Sequence, residues 1–214
     1  MRINLDLEPD PDIIPNHIFQ IFLGEEENIE DYERFMVNKI LWKKYSHKYG
    51  FWYRFINKDN VDEYLGQYKD FYYSLKYTWN RIDFIRYLVI NQEGGIYIDL
   101  DIEPNFDNDL FHILDRQIIL NKWWNPNRKR YELNNAVMGI RKGGFKELLE
   151  YSRKEYVKKL EMPIYNLWKI RFMMHSTGTR MFKRWCKTKD YDFTPEIHEY
   201  LTDHMQTSWL QNFH

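Results

Sequence analysis

An α/β fold with a mostly parallel central sheet is what the sequence predicts, and three features carry that prediction. Residues 13–22, IIPNHIFQIF, are apolar and β-prone, a helical stretch follows, and FWYRFIN at residues 51–57 returns to strand character. Strand–helix–strand order is how parallel sheets are built, because parallel neighbours need a long crossover. A second helical stretch then stops at Gly94-Gly95 and leads straight into IYIDLDIEP, where apolar and acidic side chains alternate with the period of a strand.

The elements follow in order. A first buried strand is expected at residues 17–22, ended by Gly24 and the acidic run 25–27. Residues 29–45 place Phe35, Val37, Ile40 and Leu41 in a roughly helical rhythm, and Gly50 separates that helix from the aromatic strand 51–57. Asp59 is placed to cap a short helix through residue 64. The helix 79–92 puts Ile82, Ile85 and Val89 on one face, and the paired glycines end it. Short strands are expected at 117–120 and 136–140, and helices at 144–158 and 176–187, with loop signals at 125–127 and 190–195. No repeat, low-complexity tract or linker interrupts residues 1–214, which predicts a single domain.

Composition narrows the function. The 31 Lys and Arg balance 32 Asp and Glu, so no global field draws the chain to a nucleic-acid backbone. Residues 1–15 are acidic and Pro-interrupted, unlike a secretory signal, and no run approaches the ~20 apolar residues that span a bilayer. A soluble, cytoplasmic protein is the expectation; the sequence fixes no oligomeric state, and a monomer is compatible with it. Cys186 is the only cysteine, which excludes an internal disulfide and a Cys-based zinc site. With 17 Tyr, 14 Phe and 8 Trp, the chain is rich in rings that suit both core packing and stacking on bases or sugars.

The chemistry concentrates in residues 96–103. Strict alternation puts Ile96, Ile98, Leu100 and Ile102 on one side and Tyr97, Asp99, Asp101 and Glu103 on the other. On an extended strand Asp99 and Asp101 would lie ~6.6 Å apart, and at an effective dielectric of ~20 they would repel by about 2.5 kcal/mol. A positive partner is therefore expected, and a divalent Mg or Mn ion sharing its shell with substrate phosphate meets the need. On the preceding helix Asp83 and Arg86 stand three apart, on adjacent turns, where an arginine can clamp a diphosphate.

The set Asp83-Phe84-Ile85-Arg86-Tyr87-Leu88, then Gly94-Gly95-Ile96-Tyr97-Ile98-Asp99-Leu100-Asp101, resembles the central block of sugar transferases with the DXD motif. These are of the glycosyltransferase family 32 type, related to the clostridial toxin glucosyltransferases. Ile14-Pro15-Asn16-His17-Ile18-Phe19-Gln20 is similar to that family's opening strand, Asn134-Asn135-Ala136-Val137-Met138 to a later strand, and HMQTSW at residues 204–209 to its C-terminal element. The likeness runs from residue 14 to residue 209; in size and motif set the chain is also similar to small chlorella-virus glycosyltransferases.

The resemblance implies a GT-A fold, a central mixed, mostly parallel sheet flanked by helices, with residues 14–104 as the nucleotide-sugar-binding half. Residues 105–214 would then form the acceptor half and a C-terminal flap. It further implies a UDP-sugar donor, Mn2+ or Mg2+, a glycan acceptor and transfer with retention. By that likeness Asp101 is the firmer metal ligand, Asp99 touches ribose or metal, and His204 is the third protein ligand. Asp83 binds donor-sugar hydroxyls, Arg86 faces the diphosphate or sugar, and Tyr97 joins the donor-lining set. Ile18, Phe19 and Gln20 flank the base, and Ser208 with Trp209 closes over the phosphates. From the residues themselves, Trp123-Trp124 and Asn127-Arg128-Lys129-Arg130 read either as a stacking platform and polar rim for an acceptor or as core aromatics beside a solvated charge run. Two other readings compete: a sugar-binding module without catalysis, and a D-x-D phosphotransferase or phosphatase, which would want its motif after the first strand and without Glu103.

Overall fold

The computed structural model of the 214-residue chain describes residues 13–24, 29–125, 129–166, 168–192, 194 and 197–203. In chain order, strand β1 (His17–Ile21) is followed by helix α1 (Ile29–Tyr49) and strand β2 (Trp52–Ile56). Short helices α2 (Asp62–Leu65) and α3 (Lys69–Ser74) precede the central helix α4 (Thr78–Glu93). Then come β3 (Gly95–Ile98), the short strand β4 (Ile102–Pro104), and the long hairpin of β5 (Ile118–Asn125) and β6 (Arg130–Ile140). Helices α5 (Lys146–Leu160), α6 (Pro163–Asn166), α7 (Lys169–Ser176), α8 (Thr179–Thr188) and α9 (Ile197–Tyr200) lead to strand β7 (Leu201–Asp203).

The main sheet has the order β2-β1-β3-β6-β5. β1 pairs in parallel with β2 and β3, whereas β6 runs antiparallel to both β3 and β5. The strand–helix–strand opening therefore gives the expected parallel half. The rest is antiparallel because β5 returns directly into β6 without a crossover helix. The period-2 alternation of each strand feeds two cores. Phe19, Tyr97, Met138 and Leu120 face one layer with Phe84, Tyr87, Leu148 and Phe182, while Ile18, Ile96, Ile98 and Val137 face the other with Trp42 and Tyr45 of α1.

Several expectations need correction. Residues 96–103 are not one strand: β3 stops at Ile98, residues 100–101 turn, and the chain enters β4, which leaves the main sheet to pair with β7. Three bonds hold this break: the Ile102 amide donates to the Asp99 carbonyl (3.2 Å), and Asn38 Nδ2 and Trp42 Nε1 donate to the carbonyls of Leu100 (2.8 Å) and Ile102 (2.7 Å). The alternating pattern reads as one strand, but the chain turns within it because the turn's carbonyls find partners on a distant helix. Asp59 caps nothing: α2 starts at Asp62 behind Val61 with no side-chain cap, and Asp59 sits in the preceding turn. The expected helix 176–187 begins three residues later, as α8 at Thr179, since Ser176 ends α7 and Thr177 and Gly178 separate the two helices. The strands at 117–120 and 136–140 are the inner parts of a hairpin whose pairing continues outward to Asn125 and Arg130.

The Gly94-Gly95 junction is a packing requirement as well as a stop signal. Both residues have positive φ, and a β-carbon on Gly94 would lie 2.7 Å from Pro15 Cδ and 2.8 Å from the Lys142 backbone nitrogen. Gly50 shares the positive φ but has nothing within 4 Å of such a carbon. Gly94→Ala is therefore expected to lower stability by about 2–4 kcal/mol, and Gly50→Ala by only about 1 kcal/mol. Urea unfolding midpoints of the two variants would test this; equal costs would show that the contact with Pro15 is not tight.

Candidate functional site

Helix α4 runs antiparallel to β3, so its N-terminal half lies beside the carboxyl end of that strand, the edge at which open parallel sheets bind ligands. Asn80, Asp83 and Tyr87 at i, i+3 and i+7 share one stripe of α4, and Arg86 lies beside them. Tyr97 is on β3, Asp99 directly follows it, Asn135 comes from β6, and Thr177 and Thr179 come from the break between α7 and α8.

These side chains form one connected network. Arg86 is only 6 % exposed and stands between two acids, with Nη2 3.6 Å from Asp83 Oδ1 and Nη1 3.3 Å from Asp99 Oδ1. Its Nη1 donates to the Asn135 carbonyl at 2.8 Å, and the guanidinium lies over the Tyr97 ring, 4.7 Å from the centroid. The Tyr97 hydroxyl donates to Asp99 Oδ1. Asp83 accepts from Asn135 Nδ2 (2.9 Å) on one oxygen and from Thr177 Oγ1 (3.2 Å) on the other. Asn135 Nδ2 also meets the Tyr87 hydroxyl (2.9 Å), and its Oδ1 accepts from Thr179 Oγ1 (2.8 Å). Asn80 Nδ2 in turn reaches Thr177 Oγ1 at 2.7 Å.

Burial sets the electrostatics. It pushes the Asp83 carboxyl up to about 6, with the Asp99 charge adding to the rise and Arg86, Asn135 and Thr177 opposing it. Burial works against the charge on Arg86, but Asp99, Tyr97 and Asp83 outweigh it and hold the guanidinium cationic. Tyr97 is held protonated, well above its ordinary value, by burial and by the charges of Asp99 and Asp101. Asp99 directly follows β3 and Asp101 lies in the turn beyond it, so the two DXD acids share no strand. The positive partner expected for Asp99 is present as Arg86.

The DXD acids supply hard oxygen donors, the chemistry that Mg and Mn accept. Among the described residues no third His, Cys, Asp or Glu joins them. Two protein carboxylates, with water and phosphate completing the shell, suit an ion shared with a diphosphate. His204, Ser208 and Trp209 lie outside the described residues, as do the side chains of Trp123 and Trp124 and all of Asn127 and Arg128. Lys129 and Arg130 are exposed at the β5–β6 turn.

In the first strand, Ile18 and Phe19 have no exposed surface and enter opposite cores. Gln20 is equally buried; it accepts from the Tyr53 hydroxyl (2.8 Å) and donates to the Asp99 carbonyl (3.4 Å), steadying the start of the DXD turn. The helix-facing partners Asn80, Thr177 and Thr179 have no assigned role in the sequence reading, and neither does Asn135. Residues 176–179, Ser-Thr-Gly-Thr, carry a helix-start signal that marks the break; nothing local marks Asn80.

Comparison with known proteins gives the fold and the family. The fold is that of the GT-A glycosyltransferases: a solved structure, the PaToxG glycosyltransferase, overlays with a TM-score of 0.55 at 14 % identity, covering 84 % of this chain and 71 % of that one. A glycosyltransferase involved in the glycosylation of the major capsid of PBCV-1 overlays at 0.42, also 14 % identical, over 70 % of this chain and 68 % of that one. Residues 25–134, half of the chain, match the family described as the glycosyltransferase sugar-binding region containing the DXD motif, and the chain belongs to that family. It is also 31 % identical over 99 residues to the mannosyl phosphorylinositol ceramide synthase SUR1 of Saccharomyces cerevisiae. That match spans 46 % of this chain and a quarter, 25 %, of the yeast protein.

The raised Asp83 has a consequence for folding. Its folded value, about 6, lies above the unfolded value near 3.8, so the native state holds this proton more tightly. The contribution of Asp83 to stability is accordingly greatest below about pH 4 and falls as pH rises toward about 6, by as much as about 3 kcal/mol. Asp83→Asn is expected to flatten that part of the stability–pH curve. Thermal unfolding of wild type and variant between pH 4 and 7 checks it, and parallel curves would show that Asp83 does not titrate in this range.

Proposed function

We propose that this protein is a metal-dependent glycosyltransferase that moves a hexose from a UDP-sugar to a hydroxyl of a glycan acceptor, with retention at the anomeric carbon. The observation that carries the reading is the buried Arg86 held between the partly exposed Asp83 and Asp99 at the carboxyl end of β3, within a chain of the DXD family. The mannosyl group in the name of the yeast relative supports a hexose as the transferred unit.

In this reading Asp101 and Asp99 hold Mn2+ or Mg2+, with His204 as a third ligand. When bound, the ion neutralises charge gathering on the nucleotide diphosphate as it departs. Asp83 accepts hydrogen bonds from donor-sugar hydroxyls through lone pairs that Asn135 and Thr177 leave, and those partners fix the carboxylate in place. Arg86 acts mainly by position: it keeps Asp83 and Asp99 apart yet charged, and offers its positive field to the diphosphate. Tyr97 orients Asp99 by donating to it, while Gln20 and Asn38 hold the backbone of the turn. In this reading the first strand, through Ile18, Phe19 and Gln20, flanks the base. Ser208 and Trp209 would close over the donor and keep water from it. Residues 14–104 form the donor half, and residues 105–214 the acceptor half.

Thermal shift with a panel of UDP- and GDP-sugars is the direct test. With a UDP-sugar at a hundredfold excess over its Kd, Mn2+ is expected to raise the unfolding temperature by on the order of 5–10 °C, and chelator to abolish the rise. Asp101→Ala is expected to unfold near the wild-type temperature yet show no donor-dependent shift. Shifts equal in both proteins, or indifferent to chelator, would overturn the metal assignment. Release of free sugar from the stabilising donor separates an enzyme from a sugar-binding module.

A further inference from the structure

Four large apolar side chains stand in solvent close together in the chain: Val157 (51 % exposed), Leu160 (40 %), Ile164 (49 %) and Trp168 (63 %). They occupy the last turn of α5, the short helix α6 and the residue that opens α7. Helix α6 packs against both α5 and α7, so the two longer helices meet at one corner. Interleaved with the apolar residues are exposed Lys154, Lys158, Lys169 and Arg171. On the acidic side, Glu161 is exposed, while Glu155 is engaged by Arg184 at 2.6 Å and Lys159 at 3.6 Å.

The basic character continues along α7. Trp168, Arg171 and His175 follow at i, i+3 and i+7 and share a face. His175 in turn meets Arg180 at 3.0 Å and Arg184 at 3.2 Å. In a chain whose total charge nearly cancels, this is a local segregation of positive charge around exposed apolar groups. Protein-binding patches are poor in lysine at their centres, whereas aromatic and aliphatic side chains mixed with Lys and Arg suit the boundary between lipid headgroups and acyl chains.

We propose that the α5–α6–α7 corner docks on an anionic membrane surface, with Val157, Leu160, Ile164 and Trp168 entering the boundary region and Lys154, Lys158, Lys169 and Arg171 meeting acidic headgroups. The docking is independent of the chemistry proposed at the DXD turn. Thr177, which directly follows the end of α7 two residues after His175, touches Asp83. A docked molecule would therefore hold its candidate site within reach of acceptors displayed on the membrane.

The test is sedimentation of the full chain with vesicles of phosphatidylcholine alone or mixed with phosphatidylserine. Binding is expected to the mixed vesicles, weakened by salt and absent with phosphatidylcholine alone. Ile164→Ser with Trp168→Ser, and separately Lys158→Glu with Lys169→Glu, should each weaken partitioning roughly tenfold or more without moving the unfolding temperature. Trp52→Ser, at an equally exposed tryptophan on β2, should leave it unchanged. Failure to sediment with either vesicle, variants that bind like wild type, or loss with Trp52→Ser would each overturn the proposal. So would self-association without lipid that the corner variants abolish, which would mark the corner as a contact between copies.

Discussion

The constraint on which the rest depends is the burial of Arg86 between Asp83 and Asp99. A guanidinium this deeply covered loses most of its hydration, and a buried ion pair repays that loss only when its geometry and hydrogen bonds are complete. Here they are supplied from four directions: Asp83 from the same helix, Asp99 from the end of β3, the Asn135 carbonyl from β6 and the face of the Tyr97 ring. Because these partners come from α4, β3 and β6, satisfying one side chain fixes the three elements relative to one another. The same charge balance lets two carboxylates persist side by side, with one of them raised toward neutrality.

Around that pair the polar groups form a cage anchored in both layers of the molecule. Asn135 ties Asp83 to Tyr87 and Thr179, and Thr177 ties it to Asn80, so the break between α7 and α8 is part of the site's support. From the opposite face of the sheet, α1 reaches the DXD turn through Asn38 and Trp42. The turn is thus gripped from both sides while its acids stay at the carboxyl edge of the sheet. Such support holds charged groups where a ligand can meet them without rearrangement, which is what electrostatic binding of a diphosphate demands.

Legibility followed the range of the interactions. Strands β1 and β2, the helix between them and the helix ending at Gly94 were readable because hydrophobic period and glycine placement are local signals. β5 and β6 extend by pairing along their own hairpin, whereas the end of α1, where Lys48 and Tyr49 donate to the Phe106 carbonyl, and the end of β3 at Ile98 depend on partners far away in the chain. Of the candidate residues, Asp83, Arg86, Tyr97 and Asp99 meet in one network, and Asp101 acts on the same phenol. Ile18 and Phe19 carry residue types that suit a plain core strand and a base-flanking strand alike, and the structure adds that both are buried. Asn80 is an ordinary helix residue until Thr177 arrives beside it.

What the sequence by itself determined is the parallel opening, the stop at Gly94-Gly95, and the presence of an acid–arginine pair upstream of two further acids, since each rests on spacing within a single segment. Tertiary structure decided that the acids sit on a turn, that the counter-charge of Asp99 is Arg86, and that Asn135 and Thr177 complete the set. Those outcomes depend on which segments lie against one another, and burial then converts ordinary polar side chains into obligatory partners, because a buried charge left without them costs more than the fold can spare.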